Sequence, residues 1–211
     1  MEALGTDWAL DWVRRSAAVV AEHKAELSGL DRAIGDGDHG ENLDRGFRAV
    51  VAKLDESTPE TPGAVLKLVA TTLISTVGGA SGPLLGTAYL KGAQAAGDAA
   101  ELDAAAVVAM LTAARDGVVT RGKAESGDKT MVDAWTPAVD AAAAARDAGA
   151  DARAVLEAAA TAAAAGAEAT DPLVARKGRA SYLGERAIGH RDPGAQSSAY
   201  QLRAAADAAE G

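Results

Sequence analysis

About a quarter of the 211 positions are alanine, while Phe, Trp and Tyr together supply only 3%. Alanine has the highest helix propensity and adds no side-chain entropy cost, so such a chain makes long helices readily. With few large side chains, the core has to come from helices that approach closely over small residues. No segment alternates β-branched and polar residues in the period-two pattern of a strand. The expected class is therefore all-α. Eight helices are predicted, near Asp7–Leu27, Asn42–Leu54, Pro62–Val77, Pro83–Ala96, Asp103–Thr120, Lys129–Ala148, Asp151–Ala169 and Gln196–Ala209. Pro62 and Pro83 suit a first helical turn, which needs no amide hydrogen, and Asp103 and Asp151 suit N-cap positions. Trp8 and Trp12, four apart, share one face of the first helix.

No internal linker rich in Pro, Gly or Ser interrupts this pattern, and a single domain over 1–211 is expected. The biased tract Ala141–Ala169 keeps Val155 and Leu156 and is read as two packed helices. The run Leu68–Leu90 carries no charge and is flanked by Lys67 and Lys91, as a membrane span would be. Gly78-Gly79-Ala80-Ser81-Gly82-Pro83 breaks it at its centre, so two buried helices are expected and no membrane association. The acidic start, Met1 to Asp7, has no apolar stretch of the secretory kind. The net charge of −9 argues against broad nucleic-acid binding. Cysteine is absent, which excludes disulfides, thiolate catalysis and sulfur-held zinc, and fits a reducing, cytoplasmic setting.

Glycine and charge gather instead in four stretches: Leu30–Gly46, Gly78–Thr87, Arg121–Thr130 and Lys177–Gly194. Helical bundles need only short connections, so four such loops suggest that one end of the bundle is a site. In the first, Asp31, Asp36 and Asp38 are interleaved with glycines that let the backbone turn them together. Like charges about 5 Å apart repel by roughly 3 kcal/mol at an effective dielectric of 20. A converging trio therefore calls for a hard cation, Mg²⁺ or Ca²⁺. The alternative is a solvated Asp-Gly turn. Gly35–Gly40 also satisfies the dinucleotide fingerprint by spacing, but no strand precedes it and its aspartates would repel a bare pyrophosphate. An EF-hand frame started at Asp36 reaches Phe47 where Glu is required. Because Mg²⁺ keeps few protein ligands and shares phosphate oxygens, a metal-bridged phosphate is the preferred reading.

The remaining stretches carry less by themselves. Gly78–Pro83 offers close approach and a helix N-terminus to an anion, or else a plain tight turn. Arg121–Met131 lacks the Walker spacing, because Asp128 separates Gly127 from Lys129. Met131 suits either a base or the core. Arg179 can fork onto phosphate, or serve as a surface charge.

Taken in order, Gly35-Asp36-Gly37-Asp38-His39-Gly40, Gly79-Ala80-Ser81-Gly82-Pro83, Arg121-Gly122-Lys123-Ala124-Glu125, Gly127-Asp128-Lys129-Thr130-Met131, Lys177–Arg186 and Asp192-Pro193-Gly194-Ala195 resemble the ADP-binding L-subunit family of dihydroxyacetone kinases. The resemblance runs nearly the full chain. It implies an eight-helix antiparallel barrel with the nucleotide at one end. It further implies two Mg²⁺ held by Asp31, Asp36 and Asp38, and phosphate contacts at His39, Gly40, Glu41, Asn42, Ala80 and Ser81. Glu41 would contribute its backbone amide. Gly122 and Met131 match positions at the nucleotide, while Arg179 and Asp192-Pro193-Gly194 complete the site.

In that family the sugar is held by a separate K subunit, which fits the lack of a nucleophile-base pair here. The resemblance favours ADP that stays bound and is rephosphorylated by a phosphohistidine protein of the phosphotransferase system. Exchangeable ATP, as in relatives with fused K and L parts, is the alternative, and another short ketose is a possible substrate. A third reading is a nucleotide-sensing module that docks on a transcription regulator. Loss of activity with retained partner binding on removing the Asp36 and Asp38 carboxylates would separate catalysis from docking.

Overall fold

The computed structural model describes residues 3–210. Met1 and Glu2 of the acidic start lie outside them. The helices are α1 (Thr6–Glu22), α2 (Lys24–Ile34), α3 (His39–Asp55), α4 (Pro62–Thr76), α5 (Ser81–Ala96), α6 (Ala104–Gly122), α7 (Val132–Asp147), α8 (Ala152–Glu168) and α9 (Pro193–Ala208), with a 3-10 segment at Arg179–Ala187. No strand occurs among the described residues. The one β-type pairing is the bridge of Leu4 with Leu102.

Consecutive helices from α3 to α9 pack side by side, and α1 closes the ring by packing on both α3 and α9. Eight helices thus form the expected barrel, with α2 laid outside it against α3 and α9. One continuous apolar core runs through the ring, built from Phe47, Leu66, Leu73, Leu111 and Leu156 together with many buried alanines. Trp8 and Trp12 stack at 5.3 Å and sew α1 to α9. Their indole N–H groups donate to the carbonyls of Ala205 and Gln201. No described helix is long and apolar enough to cross a membrane. The uncharged run instead becomes α4 and α5, joined by a turn in which Gly79 takes φ +68°.

Several boundaries differ from the sequence expectation, among them the start of α3 at His39 in place of Asn42 and of α7 at Val132 in place of Lys129. The first predicted helix breaks at His23, whose ring stacks on Tyr200 at 4.3 Å, and α2 continues to Ile34 in place of a loop. Helix α9 starts at Pro193, three residues before Gln196, because the Asp192 carboxylate caps it by accepting from the Ala195 amide at 2.7 Å. Helix α5 opens at Ser81, so Pro83 is its third residue. The expected caps Asp103 and Asp151 are present, accepting from the Ala106 and Ala154 amides. Because the ring alternates in direction, every second connection falls at the same end. Segments 35–38, 77–80, 123–131 and 169–192 therefore meet there.

Candidate functional site

Those connections surround a cavity of about 530 Å³. Its wall includes the first residue of α3, α5, α7 and α9, namely His39, Ser81, Val132 and Pro193. First-turn amides lack intrahelical partners, and helix N-termini carry partial positive charge, so this wall favours an anion. The opposing helix C-termini at the same end are offset by cations. Arg45 Nε donates to the Thr76 carbonyl where α4 ends, and Arg121 sits in the last turn of α6. Beyond α8, the Lys129 ammonium donates to the carbonyls of Thr170 and Asp171.

On one side of the cavity, Asp31, Asp36 and Asp38 bring one carboxylate oxygen each within 4.8 Å of one another. Three features of the backbone produce this convergence. Asp31 sits in the last turn of α2. Gly37 turns the chain with φ +80°, and Asp38 stands just before α3. The half-buried Asp31 carboxylate accepts from the amides of Asp38 and His39, at 2.9 and 3.1 Å, so it also ties α2 to the start of α3. Partial burial raises its pKa, the two amides oppose that rise, and Asp36 adds to it. Asp36 pairs with Arg179 Nη2 at 2.9 Å across the cavity mouth.

His39 is buried, and burial lowers its pKa to about 4. Its Nε2 lies 2.9 Å from Ser197 Oγ, and its Nδ1 lies 2.9 Å from Ser81 Oγ. Ser197 Oγ donates to the Gly194 carbonyl, so it accepts from Nε2–H, which leaves Nδ1 to accept the Ser81 hydroxyl. The neutral ring thereby fixes the orientation of Ser81 at the cavity edge. Asp192 lies beside Lys129 and Asp133, and burial raises its pKa to about 7.

Of the residues singled out in the sequence, Asp31, Asp36, Asp38, His39, Ala80, Ser81, Gly122, Met131, Arg179, Asp192, Pro193 and Gly194 all line the cavity. Gly40, Glu41 and Asn42 are not among its lining residues. Gly40 is where α2 and α3 touch, since a Cβ there would overlap the Lys24 carbonyl oxygen. The Glu41 carboxylate turns outward to Lys24 Nζ at 3.4 Å. Asn42 accepts from Arg45 Nη2 at 2.7 Å. The sequence does not single out Lys129, which is 1% exposed and lines the cavity, or Ser197, which holds His39. The position of Lys129 inside Gly127–Met131 was the available signal.

Residues 33–207 match the DAK2 domain. The chain is 44% identical over 201 residues to the Escherichia coli PEP-dependent dihydroxyacetone kinase, ADP-binding subunit DhaL, covering 95% of this chain and 96% of that one. It is 45% identical over 198 residues to the ADP-binding subunit DhaL of PEP-dependent dihydroxyacetone kinase 1 from Listeria innocua, covering 94% of each. Among solved structures, it superposes on the C. freundii dihydroxyacetone kinase in complex with AMP-PNP and Mg²⁺ with a TM-score of 0.72 and 26% identity. That match covers 98% of this chain and 35% of the kinase chain, so the chain spans about a third of that longer protein.

Proposed function

The chain belongs to the DAK2-domain family of dihydroxyacetone kinase L subunits, and from that premise we propose that it is the nucleotide-holding subunit of a phosphoenolpyruvate-dependent dihydroxyacetone kinase. The whole chain, 1–211, acts as one domain. It holds ADP, accepts a phosphoryl group from a phosphohistidine protein of the phosphotransferase system, and hands it to dihydroxyacetone on a separate K subunit. Its place is the cytoplasm. The observation that carries this reading is the convergence of three carboxylates on a cavity whose wall includes four helix N-termini.

The residues present fit a metal-bound nucleotide. The carboxylate oxygens form an all-oxygen donor set suited to Mg²⁺; the trio and a nucleoside diphosphate carry roughly −6, two ions return +4, and Arg179 with Lys177 at the cavity wall covers the remainder. When bound, Mg²⁺ neutralises charge on the phosphate oxygens, which phosphoryl transfer needs more than it needs a base. Asp31, Asp36 and Asp38 hold the metal. Phosphate is received by Ala80 and Ser81, with His39 orienting the Ser81 hydroxyl, and by the first-turn amides of Gly40 and Glu41 just behind the wall, while the His39 amide is held by Asp31 and the Asn42 amide by the Asp38 carbonyl. Arg179, paired with Asp36 in this structure, is the cation at the cavity mouth that would meet phosphate if Asp36 served a metal. Gly122 and Met131 border the nucleotide, and Asp192-Pro193-Gly194 closes the wall beside it.

The test is nucleotide content. The purified protein is dialysed and denatured, and the released nucleotide is identified. ADP near one per chain is the expected result. An empty protein that binds and exchanges ATP with Mg²⁺ would replace the resident-ADP reading with an ATP-dependent kinase. No binding of either nucleotide would overturn both.

A further inference from the structure

Lys129 lines the cavity but holds neither metal nor phosphate in the reading above; it is 1% exposed, and its backbone takes φ +64°, in the left-handed region a lysine seldom adopts. Holding a buried ammonium there requires strong compensation. Its Nζ donates to the Thr170 and Asp171 carbonyls, just where the chain leaves α8, and Asp192, Asp171 and Asp133 face it as charges.

Thr170 and Asp171 are one end of the 171–192 loop, and the other end is pinned at the same place. The Asp192 amide donates to Thr170 Oγ1 at 3.0 Å, and Arg191 reaches both carboxylate oxygens of Asp171 at 3.1 Å. Gly189 N–H donates to the Asp171 carbonyl at 2.7 Å. From this base the loop reaches across the cavity. The Arg176 amide donates to the Asp128 carbonyl at 3.0 Å, and Arg179 meets Asp36. The loop's own apolar packing is slight: Ala175, Ala180 and Ala187 sit with Ile34 in a small cluster apart from the main core. Polar pins at the base, more than apolar burial, therefore fix the loop over the cavity.

We infer that Lys129 is a positioning residue that clamps the base of the 171–192 loop and so sets how long a nucleotide stays in the cavity. The inference rests on the nucleotide-holding reading above. An apolar residue at 129 would leave the buried Thr170 carbonyl without its ammonium, freeing the loop base to shift.

Two full-length variants test it, Lys129→Met at the clamp and Arg191→Gln at the more exposed pin beside it. Two readouts are used. Trypsin cleavage at the exposed Arg176, Lys177, Arg179 and Arg186 reports loop opening in nucleotide-free protein. Release of N-methylanthraniloyl-ADP with Mg²⁺, chased by excess ADP, reports retention. Both variants are expected to be cut in the loop, and to release the probe, about ten-fold faster than wild type. If Lys129→Met does not fold, Arg191→Gln decides alone. Loop cleavage at the wild-type rate overturns the clamp. Faster cleavage with unchanged probe release overturns its role in retention. A wild-type protein that binds no probe overturns the nucleotide reading, whatever trypsin reports on the clamp.

Discussion

Replacing Asp38 by Asn separates a metal site from an acidic turn, because the three aspartates are not equivalent. Asp31 accepts two amide hydrogen bonds and Asp36 is paired with Arg179, whereas Asp38 has no such partner among the described contacts. Two charges 4.8 Å apart, the outer limit within the trio, repel by about 1 kcal/mol in water and about 3 kcal/mol at an effective dielectric of 20. Asp36 and Asp38 are exposed, so the lower figure applies. Asp38→Asn should then stabilise the metal-free protein by about 1 kcal/mol, a rise of about 2–4 °C in Tm for a chain of this size. On the proposed reading the same substitution also removes a metal ligand. Wild type at a hundred-fold excess over Kd should gain about 2.7 kcal/mol from Mg²⁺ and ADP, and the variant should lose most of that gain. Thermal melts of both proteins after chelation and dialysis, then with Mg²⁺ and ADP added, read the two effects in one experiment. A variant that melts lower when metal-free and keeps the full ligand-induced rise would refute the reasoning on both counts.

Two further outcomes follow from the site's neighbours. His39 titrates near 4 when folded against 6.5 unfolded, so its contribution to stability is lost as pH falls from 6.5 towards 4. Asp192 titrates near 7 against 3.8, so its contribution is lost as pH rises across the same window. At about 3 kcal/mol for His39 and about 4 kcal/mol for Asp192, the two largely offset each other in wild type. In nucleotide-free Asp192→Asn, which keeps a cap, urea stability should climb by about 2–3 kcal/mol between pH 4.5 and 7, and a curve parallel to wild type would contradict the assignment. Gly40→Ala should cost about 2–3 kcal/mol in urea unfolding, because its Cβ meets the Lys24 backbone and not a movable side-chain end. Wild-type stability in that variant would mean that α2 and α3 are not in contact there.

The helices from α4 to α8 were legible in the sequence because local chemistry determines them: alanine runs, a proline at Pro62, and aspartates at 103 and 151 that accept from their own first turns. The break at His23 was not legible, because it depends on stacking against Tyr200, 177 residues away. The cavity lining was read through motifs whose residues do meet, yet the motifs do not say which atoms face inward. His39 fits the phosphate motif, but both its ring nitrogens are taken by serines, one of them 158 residues distant. Gly40 serves the contact of α2 with α3. Lys129 reads as a solvated charge in any window of sequence, and it takes the Thr170 and Asp171 carbonyls, with Asp192, Asp171 and Asp133 facing it, to make its burial tolerable.

A chain of net charge −9 that presents three converging carboxylates is an unlikely anion site by composition. The barrel resolves this by direction. Alternating helices bring four N-termini to the cavity wall, while the C-termini of α4, α6 and α8 at the same end each have a cation near them: Arg45, Arg121 and Lys129. The local field is thus set by backbone dipoles whose negative ends have been answered, and not by net charge. The carboxylates then add a demand for divalent metal. A bare phosphate meets repulsion from the trio, and a bare metal ion meets the helix N-termini, so each ligand improves the site for the other. Such coupling is reciprocal. Mg²⁺ should therefore tighten ADP by the same factor by which ADP tightens Mg²⁺.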